Sequence, residues 1–234
     1  MAKQILVNDE TKHRSLAALT AHLDEKGRSV LFSNAEFMEY HKDEAVCSTG
    51  DVAQYLYCVV EGLVRVLHDD GIQRRILLMV LNAGCTFGYR PYFARHNCIN
   101  TVTAVETVVL CRVPNEVIMD LMQSNHDFAQ YMMEQLAQAS CEVEQHYLKM
   151  SGKHLRGRLA DTLLYLLKTV GTQRDLPMVG GGLKREDLAD MSGMTVANAI
   201  RTLSSFASEG IIEIDKRTIW FCDIPALKRI SQME

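Results

Sequence analysis

The sequence lacks the spacings that usually announce covalent or metal chemistry. Its seven cysteines, at 47, 58, 85, 98, 111, 141 and 222, are odd in number, widely spread and form no CxxC pair. That fits reduced thiols better than a disulfide framework and offers no zinc-like set. Most of them then read as small buried apolar residues. No run approaches the ~18 apolar residues that a bilayer-spanning helix needs. The opening MAKQILVNDETKHRS turns polar too early for a secretory leader, so a cytoplasmic chain without membrane contact is expected. There is no nucleophile–base pair, and Gly180-Gly181-Gly182 lacks the GK[ST] of a phosphate loop. No enzyme is expected.

An excess of positive charge is also missing, since the formal net charge is −4. The total hides a division. Residues 151–234 hold 12 Lys and Arg against 10 Asp and Glu, whereas residues 1–150 hold 13 against 19. The basic balance thus falls at the C-terminal end, the sign a nucleic-acid module requires. With 47% hydrophobic and 23% charged residues the chain is globular, and its 234 residues suffice for two modest cores.

Leu16, Leu19 and Leu23 recur at helical spacing, predicting a short helix over 11–24. From about 35 to 113 short β-prone runs alternate with turn signals: Thr49-Gly50-Asp51, Glu61-Gly62, Asp69-Asp70-Gly71 and Asn82-Ala83-Gly84. Closely spaced strands of this kind predict a small barrel or roll. Pro114 then opens a helical region, with VIMDLM as a short helix and Asn125 or Asp127 as caps for a longer one. Along the longer one Met132, Leu136, Ala139, Val143, His146 and Met150 recur at 4, 3, 4, 3 and 4, an a/d seam suited to a second copy. His146 is read there as a packed or partly exposed side chain rather than a metal ligand. Ser151-Gly152 interrupts the pattern as a hinge, a helix follows over 153–170, and GTQRDLPMVGGG (171–182) reads as a connector without regular helix.

Residues 183–221 carry the function. Lys184 to Met191 is expected to form a first helix with Leu188, Ala189 and Met191 inward. Ser192-Gly193-Met194 supplies a three-residue turn with glycine. Thr195 caps a second helix that is expected to bury Val196 or Ala199, Ile200, Leu203 and Phe206. IIEIDKRTIWF gives two short strands around Asp215-Lys216-Arg217. The sum is a winged helix-turn-helix. Its second helix must offer small or polar side chains to the major groove, and Thr195, Val196, Ala197, Asn198 and Arg201 lie where that offer is made. Arg201 suits a guanine edge and Asn198 an adenine edge, while Lys184, Thr195, Lys216 and Arg217 suit phosphates.

The roll segment STGDVAQYLYCVVEGLVRVLHDDG, the run AGCTFG and the helix-turn-helix LADMSGMTVANAIRTLSSFASEGII stand in the order and spacing of the Crp/Fnr superfamily, which the chain resembles from about 30 to 225. The resemblance implies an α+β chain of three parts. They are an N-terminal double-stranded β-helix or jelly-roll of cyclic-nucleotide-binding type (1–124), a long dimerisation helix (125–152) and a C-terminal winged helix-turn-helix (153–234). It further implies a homodimer on double-stranded DNA with a palindromic operator, RNA polymerase as a partner, and an effector pocket near Phe87, Gly88, Tyr89, Arg90, Thr101 and Thr103.

Three departures shape what is carried over. Gly88 is followed by Tyr89 where the nucleotide pocket has Glu, and residues 97–101 lack its Arg-Ser, which argues against cyclic AMP; Arg90 and Arg95 remain as anion contacts or surface ion pairs. No cysteine precedes Cys47, which argues against an N-terminal iron–sulfur cluster. Haem stays open, with His96, His126, His146, His154 and Cys85 as axial donors and no motif selecting among them. Finally, Ala197 stands where the family often has Glu. The expected protein is a DNA-binding transcription regulator with an unidentified effector. A haem- or thiol-based redox or nitrosative-stress sensor and an effector-independent DNA binder are the alternatives.

Overall fold

A computed structural model describes residues 2–69, 75–170, 178–179 and 183–233. The chain divides into two compact units, residues 1–73 with 81–142, and residues 74–80 with 143–234.

The chain opens with β1 (Lys3–Gln4), α1 (Asp9–Ser15), α2 (Ala17–Thr20) and α3 (Glu25–Ser33). Strands β2 (Glu36–Tyr40), β3 (Ala45–Cys47), β4 (Tyr55–Glu61), β5 (Val64–Asp69), β6 (Arg75–Leu81) and β7 (Thr86–Phe87) follow. Then come α4 (Tyr89–Phe93), β8 (Thr101–Ala104), β9 (Val108–Pro114), α5 (Asn115–Ser124) and the long α6 (His126–Gly152). One sheet has the order β1-β2-β9-β4-β7, and in a second β8 lies between β3 and β5.

The predicted N-terminal helix is broken at Leu16. Asn8 caps α1 by accepting from the Thr11 N–H at 2.8 Å, and Asp24 caps α3 by accepting from Gly27 at 2.7 Å. Between these caps Leu16, Leu19 and Leu23 are all buried. They pack on one face of the five-stranded sheet with Leu31, Phe37, Leu56, Cys58, Cys111, Phe128 and Met132.

The register explains which side chains reach that core. Phe37 pairs with Cys111 and Cys111 with Cys58, so these three form one row. The adjacent row, on the opposite face by the period of two, is Glu36, Arg112, Tyr57 and Phe87. The expectation of thiols as apolar filler holds for Cys58, Cys98 and Cys111, whereas Cys47 and Cys85 are half-buried and Cys141 and Cys222 exposed. Burial pushes the thiols of Cys47, Cys58 and Cys111 up to about 12, leaving them protonated and unreactive at neutral pH.

Two expectations for the long helix are revised. Asn125 precedes α6, but its side-chain oxygen accepts from the Asp24 N–H at 3.3 Å and its amide donates back to Leu121 and Ser124. It ties two helices rather than capping one. The a/d seam is also not one surface. Met132 is 1% and Ala139 8% exposed within the single chain, and Leu136 packs against the same N-terminal core. Val143 is 56% exposed, joined on the outside by Tyr147 and Leu148. His146 is exposed, and the side chain of Met150 lies outside the described residues.

The C-terminal unit contains α7 (Leu155–Thr169), β10 (Met178–Val179), α8 (Arg185–Met191), α9 (Val196–Ser208), β11 (Ile212–Asp215), β12 (Thr218–Phe221) and α10 (Ile224–Met233). Helix α6 continues through Ser151 and Gly152, and the break falls at Lys153 and His154. There the Lys153 ammonium donates to Asp161 at 2.6 Å and to the Ser231 carbonyl, while Ser231 donates to the other Asp161 oxygen at 2.6 Å. Lys153 is therefore anchored to α7 and α10, not part of a free hinge. Met178 and Val179 form a third strand beside β12 in a sheet of order β10-β12-β11, which the sequence reading missed. The remainder of the 171–182 connector lies outside the described residues.

Leu159, Leu163, Leu166, Leu203, Phe206 and Leu227 are buried at the centre of this unit. Phe206→Ala empties a fully buried ring and is expected to cost about 3–5 kcal/mol. The check is urea unfolding followed by the fluorescence of Trp220, the single tryptophan, which lies on β12.

Candidate nucleic-acid interface

Helix α8 ends where Ser192 can no longer continue it, and Gly193, at φ 58°, turns the chain with Met194 buried behind it. A left-handed residue at this point is favourable for glycine and costly for most others. Thr195 then accepts from the Asn198 N–H at 3.3 Å and starts α9. The turn is fastened from beneath. Ser192 is fully buried, with its hydroxyl 2.7 Å from the Leu188 carbonyl and 2.9 Å from the Thr162 hydroxyl of α7. Arg158, also on α7, donates to the Gly193 carbonyl at 3.0 Å.

Helix α9 buries Ala199, Thr202, Leu203 and Phe206. Ile200, expected inside, is 48% exposed, and Val196 is 38% exposed. At 100° per residue Ile200 stands beside the outward line of Ala197, Arg201 and Ser204 rather than on the Leu203 side, and the buried arc is filled by the smaller Ala199 and Thr202. Thr195, Ala197 and Arg201 are exposed and Asn198 is half-buried. Arg201 donates to the Asn198 side-chain oxygen at 2.5 Å, one turn earlier on the same helix.

The far end of α9 is held by Arg156 of α7. Its guanidinium donates to both Glu209 oxygens, at 2.8 and 2.9 Å, and to Ser205 at 2.7 Å, and lies 4.9 Å from the centre of the Phe206 ring. Those hydrogen bonds from Arg156 and Ser205 hold the Glu209 carboxyl down at about 2.

Lys184, Lys216 and Arg217, predicted from three separate stretches, line one cleft together with Leu183, Arg185 and Glu186. In the hairpin Asp215 pairs with Thr218, so Lys216 and Arg217 form a two-residue turn, with Lys216 at φ 52°. Arg185, which the sequence reading passed over, donates to the Lys216 carbonyl at 3.2 Å and binds the wing to the start of α8. Its place beside Lys184 at the helix start was the available signal.

The six effector-pocket candidates have different surroundings. Phe87 is buried and stacks on Tyr57 with ring centres 4.9 Å apart. Tyr89 is buried within the helix-covered core with Cys58 and Phe128. Gly88 has φ 90°, and a Cβ there would stand 2.4 Å from the Tyr55 carbonyl. Arg90 is exposed. Thr101 and Thr103 are buried with their hydroxyls engaged, Thr101 accepting from the Thr49 N–H at 3.1 Å and Thr103 from Arg65 at 2.8 Å. On the opposite face of the first sheet Arg112 lies 2.7 Å from Glu36 and 4.5 Å from the centre of the Tyr55 ring. Among the described residues no group of three or more His, Cys, Asp and Glu could hold a metal ion, and no helix is long and apolar enough to cross a membrane.

Residues 37–125 match the cyclic nucleotide-binding domain and residues 157–230 the Crp-like helix-turn-helix domain. The chain belongs to the Crp/Fnr family of transcription regulators. It is 26% identical to the transcriptional regulator LdrP of Thermus thermophilus, over 81% of this chain and 94% of that relative. It is 21% identical to the CRP-like cAMP-activated global transcriptional regulator of Mycobacterium tuberculosis, over 82% and 86%. The structure of FixK2 from Bradyrhizobium japonicum superposes with a TM-score of 0.75 at 22% identity, covering 84% of this chain and 96% of that one. The jelly-roll and winged helix-turn-helix of this Crp/Fnr regulator are those expected from sequence.

The Arg156–Glu209 pair gives a pH-dependent prediction. Because the Glu209 carboxyl is lowered from 4.5 to about 2 in the folded chain, its stabilisation is present above 4.5 and is lost as pH falls toward about 2. The pair is partly exposed, so the effect is small. Glu209→Gln is expected to flatten the decline of the urea midpoint across that window. Parallel declines in the two proteins would contradict the assignment.

Proposed function

We propose that this Crp/Fnr regulator acts as a homodimer whose two α9 helices enter successive major grooves of a palindromic operator. The observation that carries the reading is the exposed face at the start of α9, with Arg201 outward, in a unit that also holds a cleft lined by Lys184, Arg185, Lys216 and Arg217. An arginine on an exposed helix face reads a guanine edge through two N–H groups, and the cleft's cations take phosphates. Thr195, Val196, Ala197 and Asn198 complete the face presented to the groove. The dimer contact is assigned to the outer half of α6, where Val143, Tyr147 and Leu148 leave apolar surface that the chain itself does not cover. As a transcription regulator it works in the cytoplasm with RNA polymerase as its partner.

The N-terminal unit is proposed to receive a signal other than cyclic AMP. That ligand needs a carboxylate for its ribose and an arginine for its cyclic phosphate. The residue after Gly88 is a tyrosine buried in the core, and the hydroxyls of Thr101 and Thr103 are engaged within the chain. The Mycobacterium tuberculosis relative is a cAMP-activated regulator, and Tyr89, Thr101 and Thr103 of this chain support a different ligand. Coupling between signal and DNA affinity is expected at ~1–3 kcal/mol.

Two substitutions separate the roles. Arg201→Ala should cost about 1–3 kcal/mol in operator affinity and relax base preference at one position per half-site. Lys216→Ala should weaken all duplexes alike and lower the salt slope by about 1. Fluorescence anisotropy over a salt series reads both, and identical behaviour of the two variants would refute the division. For the dimer, native mass spectrometry should show a dimer for the wild type and a monomer for Tyr147→Asp.

A further inference from the structure

From the cap Thr195 to Arg201 two side chains can accept a hydrogen bond, Thr195 and Asn198, the others being Val196, Ala197, Ala199, Ile200 and Arg201. Thr202, next along α9, is buried with its hydroxyl donating to the Asn198 carbonyl at 2.9 Å. Thr195 and Asn198 each already accept one hydrogen bond from the helix itself. The Thr195 oxygen takes the Asn198 N–H at 3.3 Å, and the Asn198 side-chain oxygen takes an Arg201 N–H at 2.5 Å. Guanidinium has donors only, so the amide must turn its oxygen toward Arg201 and its NH2 away. Arg201 carries five N–H groups in all, and one bond to Asn198 leaves enough for a bidentate contact with a base.

We propose that Asn198 and Arg201 act as a single donor-only unit, so that α9 reads guanine and thymine edges and does not read adenine through Asn198. The proposal rests on the DNA-binding reading above. The base edges make it specific. Adenine and cytosine each present an amino group to the major groove, which only a side-chain acceptor can read. Guanine O6 and thymine O4 take donors, and N7 accepts on both purines, so a donor pair prefers guanine over adenine through O6. Beside the polar pair, Ala197 is exposed and Ile200 is 48% exposed, which suits the thymine methyl. Asn198 then serves first as a positioning residue for Arg201, in place of the adenine contact expected from its residue type alone.

The test is selection from a randomised duplex pool by the full-length protein, alone and with a small-molecule extract of its host cells. It is repeated with Asn198→Ala, Arg201→Ala and the double variant. The wild type is expected to select a guanine in each half-site with thymine or guanine next to it on the contacted strand. Arg201→Ala should abolish the guanine preference. Asn198→Ala should weaken that same preference several-fold without changing the thermal midpoint, and the double variant should match Arg201→Ala. The proposal is overturned if the wild type selects an adenine whose preference Asn198→Ala removes while the guanine preference survives. Failure to enrich any sequence, with or without extract, would instead overturn the DNA-binding reading and this proposal with it.

Discussion

Everything α9 presents depends on where a three-residue turn holds its first residue. Ser192 is fully buried, and a buried hydroxyl left without a partner costs about 1–3 kcal/mol. It therefore sits where Leu188 and Thr162 meet it, which locks the end of α8 to α7. Gly193 permits the reversal, and the Arg158 contact to its carbonyl fixes the direction of the turn. At the other end, Arg156 grips Glu209 and Ser205. The helix that faces outward is thus clamped at both ends by α7. Its orientation is a property of packed and hydrogen-bonded groups, while the residues along its outer face are left free to differ in chemistry.

The N-terminal unit shows the complementary case, a tight turn set by backbone contact next to a side chain set by packing. The five-stranded sheet has one apolar face, closed by α1 to α3, α5 and α6, and one face bearing the row Glu36, Arg112, Tyr57 and Phe87. Gly88 is demanded by the backbone, since any side chain there would strike the Tyr55 carbonyl. The following residue is under no such constraint. The tyrosine there is buried with Cys58 and Phe128, so packing against the core sets its side chain.

The legible parts of the sequence were those where local chemistry and packing agree. Gly193, Thr195, Leu203 and Phe206 specify the helix-turn-helix through turn conformation, capping and apolar spacing, and each is placed as expected. Ile200 was misplaced because residue type suggested burial, although Ala199 and Thr202 fill the inward arc. The a/d spacing of α6 marked a real stripe but could not divide it, because spacing does not say whether Met132 meets the chain's own core or a partner. Arg112 with Glu36, Arg185 on the wing and the Lys153 anchor are long-range pairings. Their partners lie 76, 31, and 8 and 78 residues away, beyond what a local pattern encodes.

The central claim is that two clamped α9 helices read one duplex together. Hydroxyl-radical footprinting of the full-length protein on a selected operator measures this directly. Two protected patches related by a dyad and centred about one helical turn, roughly 34 Å, apart are expected. A single patch without a dyad, or no protection on any selected sequence, would contradict the claim.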